Sequence, residues 1–182
     1  QHNGDFRVTP VIVRPERLGE LQEHLLLYFT GFSRTASDIA KEQIDRTKEK
    51  TKELKLMGGF VDEALSILTG KSSLDDFGRL LHENWQIKRS LTSKISLPKI
   101  DEIYETARNA GALGGKLLGA GGGGFMLFFA RPEIHARIKE RLKGLLYVPF
   151  RFENEGSKIV FFQPASPMQN GLSGGQIISK IP

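Results

Sequence analysis

A chain of 182 residues without cysteine, 39% hydrophobic and 26% charged, has the composition of one globular domain and excludes a disulfide scaffold or a thiolate metal centre. The formal charge of +5 and a pI near 9.5 favour anionic partners such as phosphorylated metabolites, nucleotides or nucleic acid. The four scattered histidines His2, His24, His82 and His135 suggest no zinc site, and there is neither a secretory h-region nor an apolar run near the ~20 residues that cross a bilayer, so the expectation is a cytoplasmic protein with no membrane partner.

His2-Asn3-Gly4-Asp5 contains the Asn-Gly pair of a type I′ hairpin turn, with Phe6 to Thr9 as the outgoing strand. No incoming strand precedes it, which suggests a chain cut from a longer polypeptide. Pro10 to Val13 is extended, Pro15 to Gln22 is a short helix, and His24 to Thr30 is a continuous apolar run of the kind buried on both faces of a sheet. At Gly31-Phe32-Ser33-Arg34-Thr35-Ala36-Ser37 the strand stops, and Ser33 or Thr35 can cap a helix from Asp38 to about Lys55. The free amides of such a helix start attract anions, and Arg34 would add to the effect. An ordinary capped helix with a solvated arginine explains the same residues.

Arg46 to Lys55 is dense in charge of both signs and reads as a solvated face. Gly58-Gly59 is expected to break the helix, after which Phe60, Val61, Ala64, Leu65 and Leu68 form an apolar stripe ending at Gly70. Ser72-Ser73 caps the next helix, with Asp75 and Asp76 in its first turn where the dipole favours them. Late in this helix, Lys88 and Arg89 sit at the negative end of the dipole, which is a sufficient structural reason for both. Their neighbours Trp85, Ser90, Thr92, Ser93 and Lys94 also suit a pocket for a phosphorylated, hydroxyl-rich ligand, and both readings stand. Leu97-Pro98 opens a further helix with Ile100, Ile103, Tyr104 and Ala107 inward and Gly111 as its stop.

Leu113 to Ala120 and Gly124 to Ala130 read as two strands joined by a glycine turn. Four consecutive glycines, 121 to 124, run directly into an apolar strand, whereas a flexible linker would be flanked by polar residues. Glycine reaches φ > 0 and lets other groups approach the main chain, so the turn is either a cradle for an anion, its amides open toward a groove, or a bare hairpin between packed layers. Arg131-Pro132 starts another helix with Ile134, Ile138 and Leu142 at helical spacing and Gly144 beyond them. Leu146 to Glu153 is a strand that Pro149 places at an edge, and Asn154 to Ser157 turns it into a last strand, Lys158 to Phe162. Past Gln163 the composition is linker-like, giving a domain over 1–163 and a flexible tail over 164–182. The element order is that of an α+β fold: an antiparallel sheet covered by helices, a ferredoxin-like plait with a helical insertion.

Residues 116–125, KLLGAGGGGF, resemble the third motif of the GHMP small-molecule kinases at nearly every position, and the likeness extends over most of residues 1–163. The resemblance implies the C-terminal domain of such a kinase. The segments 30–37 and 82–89 are similar to the branch that phosphorylates D-glycero-D-manno-heptose 7-phosphate at its anomeric hydroxyl, with fucose-type and mevalonate-type kinases as alternatives. It further implies ATP and Mg²⁺, bound mainly by an N-terminal kinase domain of the same protein. Lys116, Gly119, Ala120, Gly121, Gly122, Gly123 and Gly124 would support the phosphate loop, and Ser33, Arg34, Trp85, Lys88 and Arg89 would hold the phosphorylated sugar. The family's Pro-x-x-x-Gly-Leu-Gly-Ser-Ser motif is absent from these residues, as is a recognisable catalytic Asp. No catalytic or metal-binding residue is therefore assigned, the chain alone is expected to be inactive, and a homodimer is left open. RNA binding on the sheet would need exposed aromatics among basic residues, and Phe125, Phe128 and Phe129 lie in a run too apolar for it. A non-catalytic anion-binding or interaction module is the remaining alternative.

Overall fold

A computed structural model describes residues 8–32, 36–153 and 155–156. The chain divides into two units, residues 1–152 and 153–182, and the architecture that follows is that of the first. It runs α1 (Pro15–Glu23), β1 (Leu25–Phe29), α2 (Ala36–Asp45), α3 (Thr51–Thr69), α4 (Leu74–Arg89), α5 (Pro98–Asn109), β2 (Gly114–Leu117), β3 (Phe125–Phe129), a 3-10 turn (Pro132–Ile134), α6 (His135–Arg141) and β4 (Leu146–Tyr147). The four strands form one antiparallel sheet in the order β2-β3-β1-β4. This is the expected plait, with four helices inserted between β1 and β2.

Period-two alternation along β1 and β3 divides the sheet between two cores. Leu26, Tyr28, Leu117, Met126 and Phe128 pack with Trp85, the inward residues of α5 and Ile138 of α6, while Leu25 and Phe129 join Leu21, Ile67, Leu74 and Leu80. The register sets Leu25 opposite Phe129 and Phe29 opposite Phe125. The start of β1 is thus buried on both faces, but Phe125 at the other end is 40% exposed.

α4 crosses β2 at backbone contact: a Cβ on Gly114 would stand 1.9 Å from the carbonyl oxygen of Gly78. Only glycine fits there. Ser73 caps α4 by accepting from the amide of Asp75 at 3.2 Å, and Arg131 clamps the carboxylate of Asp75 with Nε at 3.0 and 3.1 Å and with Nη2. The clamp holds the Asp75 carboxyl below the usual range.

Three expectations need correction. Gly58 and Gly59 lie inside α3 without breaking it. Each interior glycine costs about 1 kcal/mol against alanine, and the burial of Phe60, Ala64, Ile67 and Leu68 against α4 and the sheet outweighs that. The helical run breaks instead at residues 46–50, which are all polar and offer no apolar side chain to pack. The strand expected over 146–153 shortens to Leu146–Tyr147 at the sheet edge, with Pro149 just past it. Val8 and Thr9, the end of the expected first strand, carry no regular structure. The hairpin turn over 2–5, the strand over 158–162 and the tail over 164–182 lie outside the described residues. Among the described residues no helix is long and apolar enough to cross a membrane.

Candidate functional site

The loop between β2 and β3 is fixed by its own backbone. Positive φ at Gly121 (+119°) and Gly123 (+150°), residues with no Cβ, lets the chain lie directly on two neighbours. A Cβ on Gly121 would meet Ile95 Cα at 2.8 Å, and one on Gly123 the Phe32 carbonyl oxygen at 2.7 Å. The Gly122 amide donates to Ile95 O and the Gly124 amide to Phe32 O, both at 2.8 Å. Thr30, buried at the end of β1, donates its amide and its Oγ1 to Gly124 O, each at 2.9 Å. Gln43 of α2 donates Nε2 to Ala120 O at 2.8 Å.

Two of the four glycine amides are therefore engaged within the chain, which corrects the expectation that all of them face a groove. The amides of Gly121 and Gly123 have no acceptor among the described residues. Alternate N–H groups clamp the loop; of the two glycines between them Gly121 is buried and Gly123 half-buried, and their N–H groups are donors of the kind that suits the oxygens of an anion.

Lys88, expected to hold a sugar phosphate, lies behind this loop. Its ammonium is buried and donates to Gly119 O at 2.6 Å and Leu117 O at 3.3 Å. Burial, reinforced by the nearby Lys116 charge, pulls its pKa down to about 8. Arg89, one residue on and so about 100° around the helix, pairs instead with Asp101 at 3.3 Å, a carboxylate that also accepts from Ser96 Oγ at 2.7 Å. Trp85 is not a ligand-facing residue: it has no exposed surface and packs against Tyr104 in the first core, with its Nε1 buried and unpartnered. Lys116 points from β2 into the cleft between α3 and α4, half-buried, and burial lowers its pKa. Ser33 and Arg34 lie outside the described residues.

Sequence reasoning did not single out Thr30, Gln43 or the carbonyls of Phe32 and Ile95 as parts of this loop. A main-chain acceptor leaves no mark in a sequence, but a threonine closing an apolar strand just before Gly31 was a usable signal for the first.

Residues 64–147 match the model for the C-terminal domain of GHMP kinases. These residues are a GHMP kinase C-terminal domain. The chain is 35% identical over 160 residues to the D-glycero-alpha-D-manno-heptose 7-phosphate kinase of Campylobacter jejuni, covering 81% of this chain and 46% of that one. It is 28% identical over 146 residues to the bifunctional fucokinase/GDP-fucose pyrophosphorylase of Arabidopsis thaliana, covering 76% and 13%. The fold matches the crystal structure of the Methanococcus jannaschii mevalonate kinase with a TM-score of 0.62 at 25% identity, covering 78% of this chain and 44% of that one. The GHMP domain and its flanks thus span less than half the length of these relatives. The glycine loop lies within the matched residues of the GHMP domain, and the helices that carry Lys88 and Asp101 do so as well.

Proposed function

We propose that this GHMP domain is the C-terminal half of an ATP-dependent sugar kinase that phosphorylates D-glycero-D-manno-heptose 7-phosphate at its anomeric hydroxyl. The observation that carries the reading is the pair of unpartnered amides at Gly121 and Gly123 in a loop held from behind by Lys88 and from the sides by Thr30 and Gln43. Phosphoryl transfer is largely a matter of position and charge neutralisation, and backbone donors fixed before the ligand arrives contribute to both. ATP, when bound, supplies the phosphoryl group; the N–H groups of Gly121 and Gly123 would donate to anionic oxygens and hold them in place. Among the described residues there is no group of three or more His, Asp or Glu side chains that could hold a metal ion.

The 35% identity to a heptose 7-phosphate kinase favours that substrate, and the 28% identity to a fucokinase supports fucose as the alternative. The partner in this reading is an N-terminal kinase domain of the same protein, seated on the apolar rim of the loop, where Phe32, Leu118 and Phe125 are 36 to 40% exposed. Turnover belongs to the two halves together. The test is a titration of the 182-residue chain with pyrophosphate or a non-hydrolysable ATP analogue, followed by amide NMR. Shifts at Gly121 and Gly123 larger than those at Gly122 and Gly124 are expected, and no response at millimolar ligand overturns the anion site. A coupled assay with ATP, Mg²⁺ and heptose 7-phosphate should show no turnover by residues 1–182; appreciable turnover would remove the need for a second half.

A further inference from the structure

The cleft between α3 and α4, with Lys116 of β2 in its lining, is an open groove of about 250 Å³. Its wall is apolar, with Phe60, Ala64, Leu68, Phe77 and Leu81 contributing, and only Asn84 and Lys116 bring polar groups to it. No carboxylate lines it. The Lys116 ammonium has neither a hydrogen-bond acceptor nor an ion-pair partner among the described residues, and Asn84 Oδ1 is buried without a donor. A cation held against apolar surface with no anion, next to an unpartnered amide, is an unfavourable arrangement in the unliganded domain. A ligand with one anionic end and an apolar body would relieve it.

We propose that this cleft binds a medium-chain aliphatic carboxylate, its carboxylate on Lys116 and its chain between α3 and α4. A half-turn of the Asn84 amide replaces Oδ1 by an N–H and gives the second carboxylate oxygen a donor. A monoanion fits better than a phosphate dianion, because the neighbouring cation, Lys88, is already committed to the carbonyls of Leu117 and Gly119. The apolar lining that α3 contributes runs from Phe60 to Leu68, about 12 Å along the helix axis and close to the length of an extended eight-carbon chain. Octanoate is therefore the matching probe. The site is distinct from the Gly121 and Gly123 amides and does not depend on the kinase reading.

Calorimetric titration of the 182-residue chain with octanoate should show saturable binding at one site. Lys116→Met should weaken octanoate at least about ten-fold, the loss of a charge-assisted contact, and leave the weaker binding of octan-1-ol unchanged. Ala64→Trp should abolish both by filling the groove. Should either variant fail to melt cooperatively, photolabelling of the unaltered chain with octanoate bearing a terminal diazirine decides instead, with label expected in residues 57–81. Absence of saturable binding, equal octanoate affinity in Lys116→Met, or label confined to other segments overturns the proposal.

Discussion

The Nζ of Lys88 lies 2.6 Å from the carbonyl oxygen of Gly119. A side chain that the sequence offers as a phosphate ligand is thereby a strut beneath the loop on which the phosphate would rest. α4 is anchored where Gly78 meets Gly114, and Lys88 stands ten residues further on, about 15 Å along the axis. The backbone contact at one end of the helix therefore sets the height of the ammonium at the other.

Replacing Lys88 by Met removes both charge-assisted bonds but also removes a buried charge, so the net cost should be modest, about 1 kcal/mol in urea unfolding. The loop should respond more than the domain, with faster hydrogen exchange at Gly122 and Gly124. A Lys88→Met protein whose loop exchanges like the parent would show that Thr30 and Gln43 suffice to hold it.

The depressed pKa of Lys88 gives the same variant a pH signature. The folded state releases this proton near pH 8, whereas the unfolded chain keeps it to about pH 10.4, so the unfolded state binds more protons in between. Stability contributed at Lys88 should rise with pH across that window. The difference in unfolding free energy, parent minus Lys88→Met, should become more favourable to the parent from pH 8 to pH 10, and a flat or falling difference would contradict the buried-ammonium assignment.

Asp75 should behave in the same sense, in the acid range. Arg131 holds its carboxyl below the usual range, so its contribution is complete above the unfolded value near 3.9 and is lost as pH falls through the lower folded value. Asp75→Asn should be less stable than the parent at pH 7, and the gap should close in acid. Urea midpoints measured from pH 7 down to pH 2 would reveal a gap of constant size if the clamp contributed nothing.

Glycine substitutions should sort by what their new Cβ meets. Gly114→Ala drives a methyl into the Gly78 carbonyl and should cost about 3 kcal/mol or more, enough to disrupt folding of the α4–β2 contact. Gly119→Ala meets nothing within 4 Å and should cost only the strain of positive φ, about 1–2 kcal/mol. Thermal melts of the two proteins test the order, and equal melting temperatures would refute it.

Much of the plait was legible because its signals are local. Ile100, Ile103, Tyr104 and Ala107 repeat at helical spacing, and all four are buried in α5; the apolar runs around Leu25–Phe29 and Phe125–Phe129 are the two central strands. The continuity of α3 through Gly58 and Gly59 was not legible, since it depends on packing against a helix that comes later in the chain. Lys88 and Arg89 read as a pair because they are adjacent, yet on a helix adjacent residues face different ways. Lys88 shares its face with Trp85, three residues earlier, and follows it inward, while Arg89 turns to Asp101. That direction could have been read from the spacing, had Trp85 been taken as core.

The alternation of fastened and unfastened amides along Gly121–Gly124 bears on the thermodynamics of recognition. A ligand meeting these donors would find them already ordered, because the entropy of arranging four flexible glycines was surrendered when the domain folded. The ordering of these four residues is therefore no part of the cost that any association at this loop would bear.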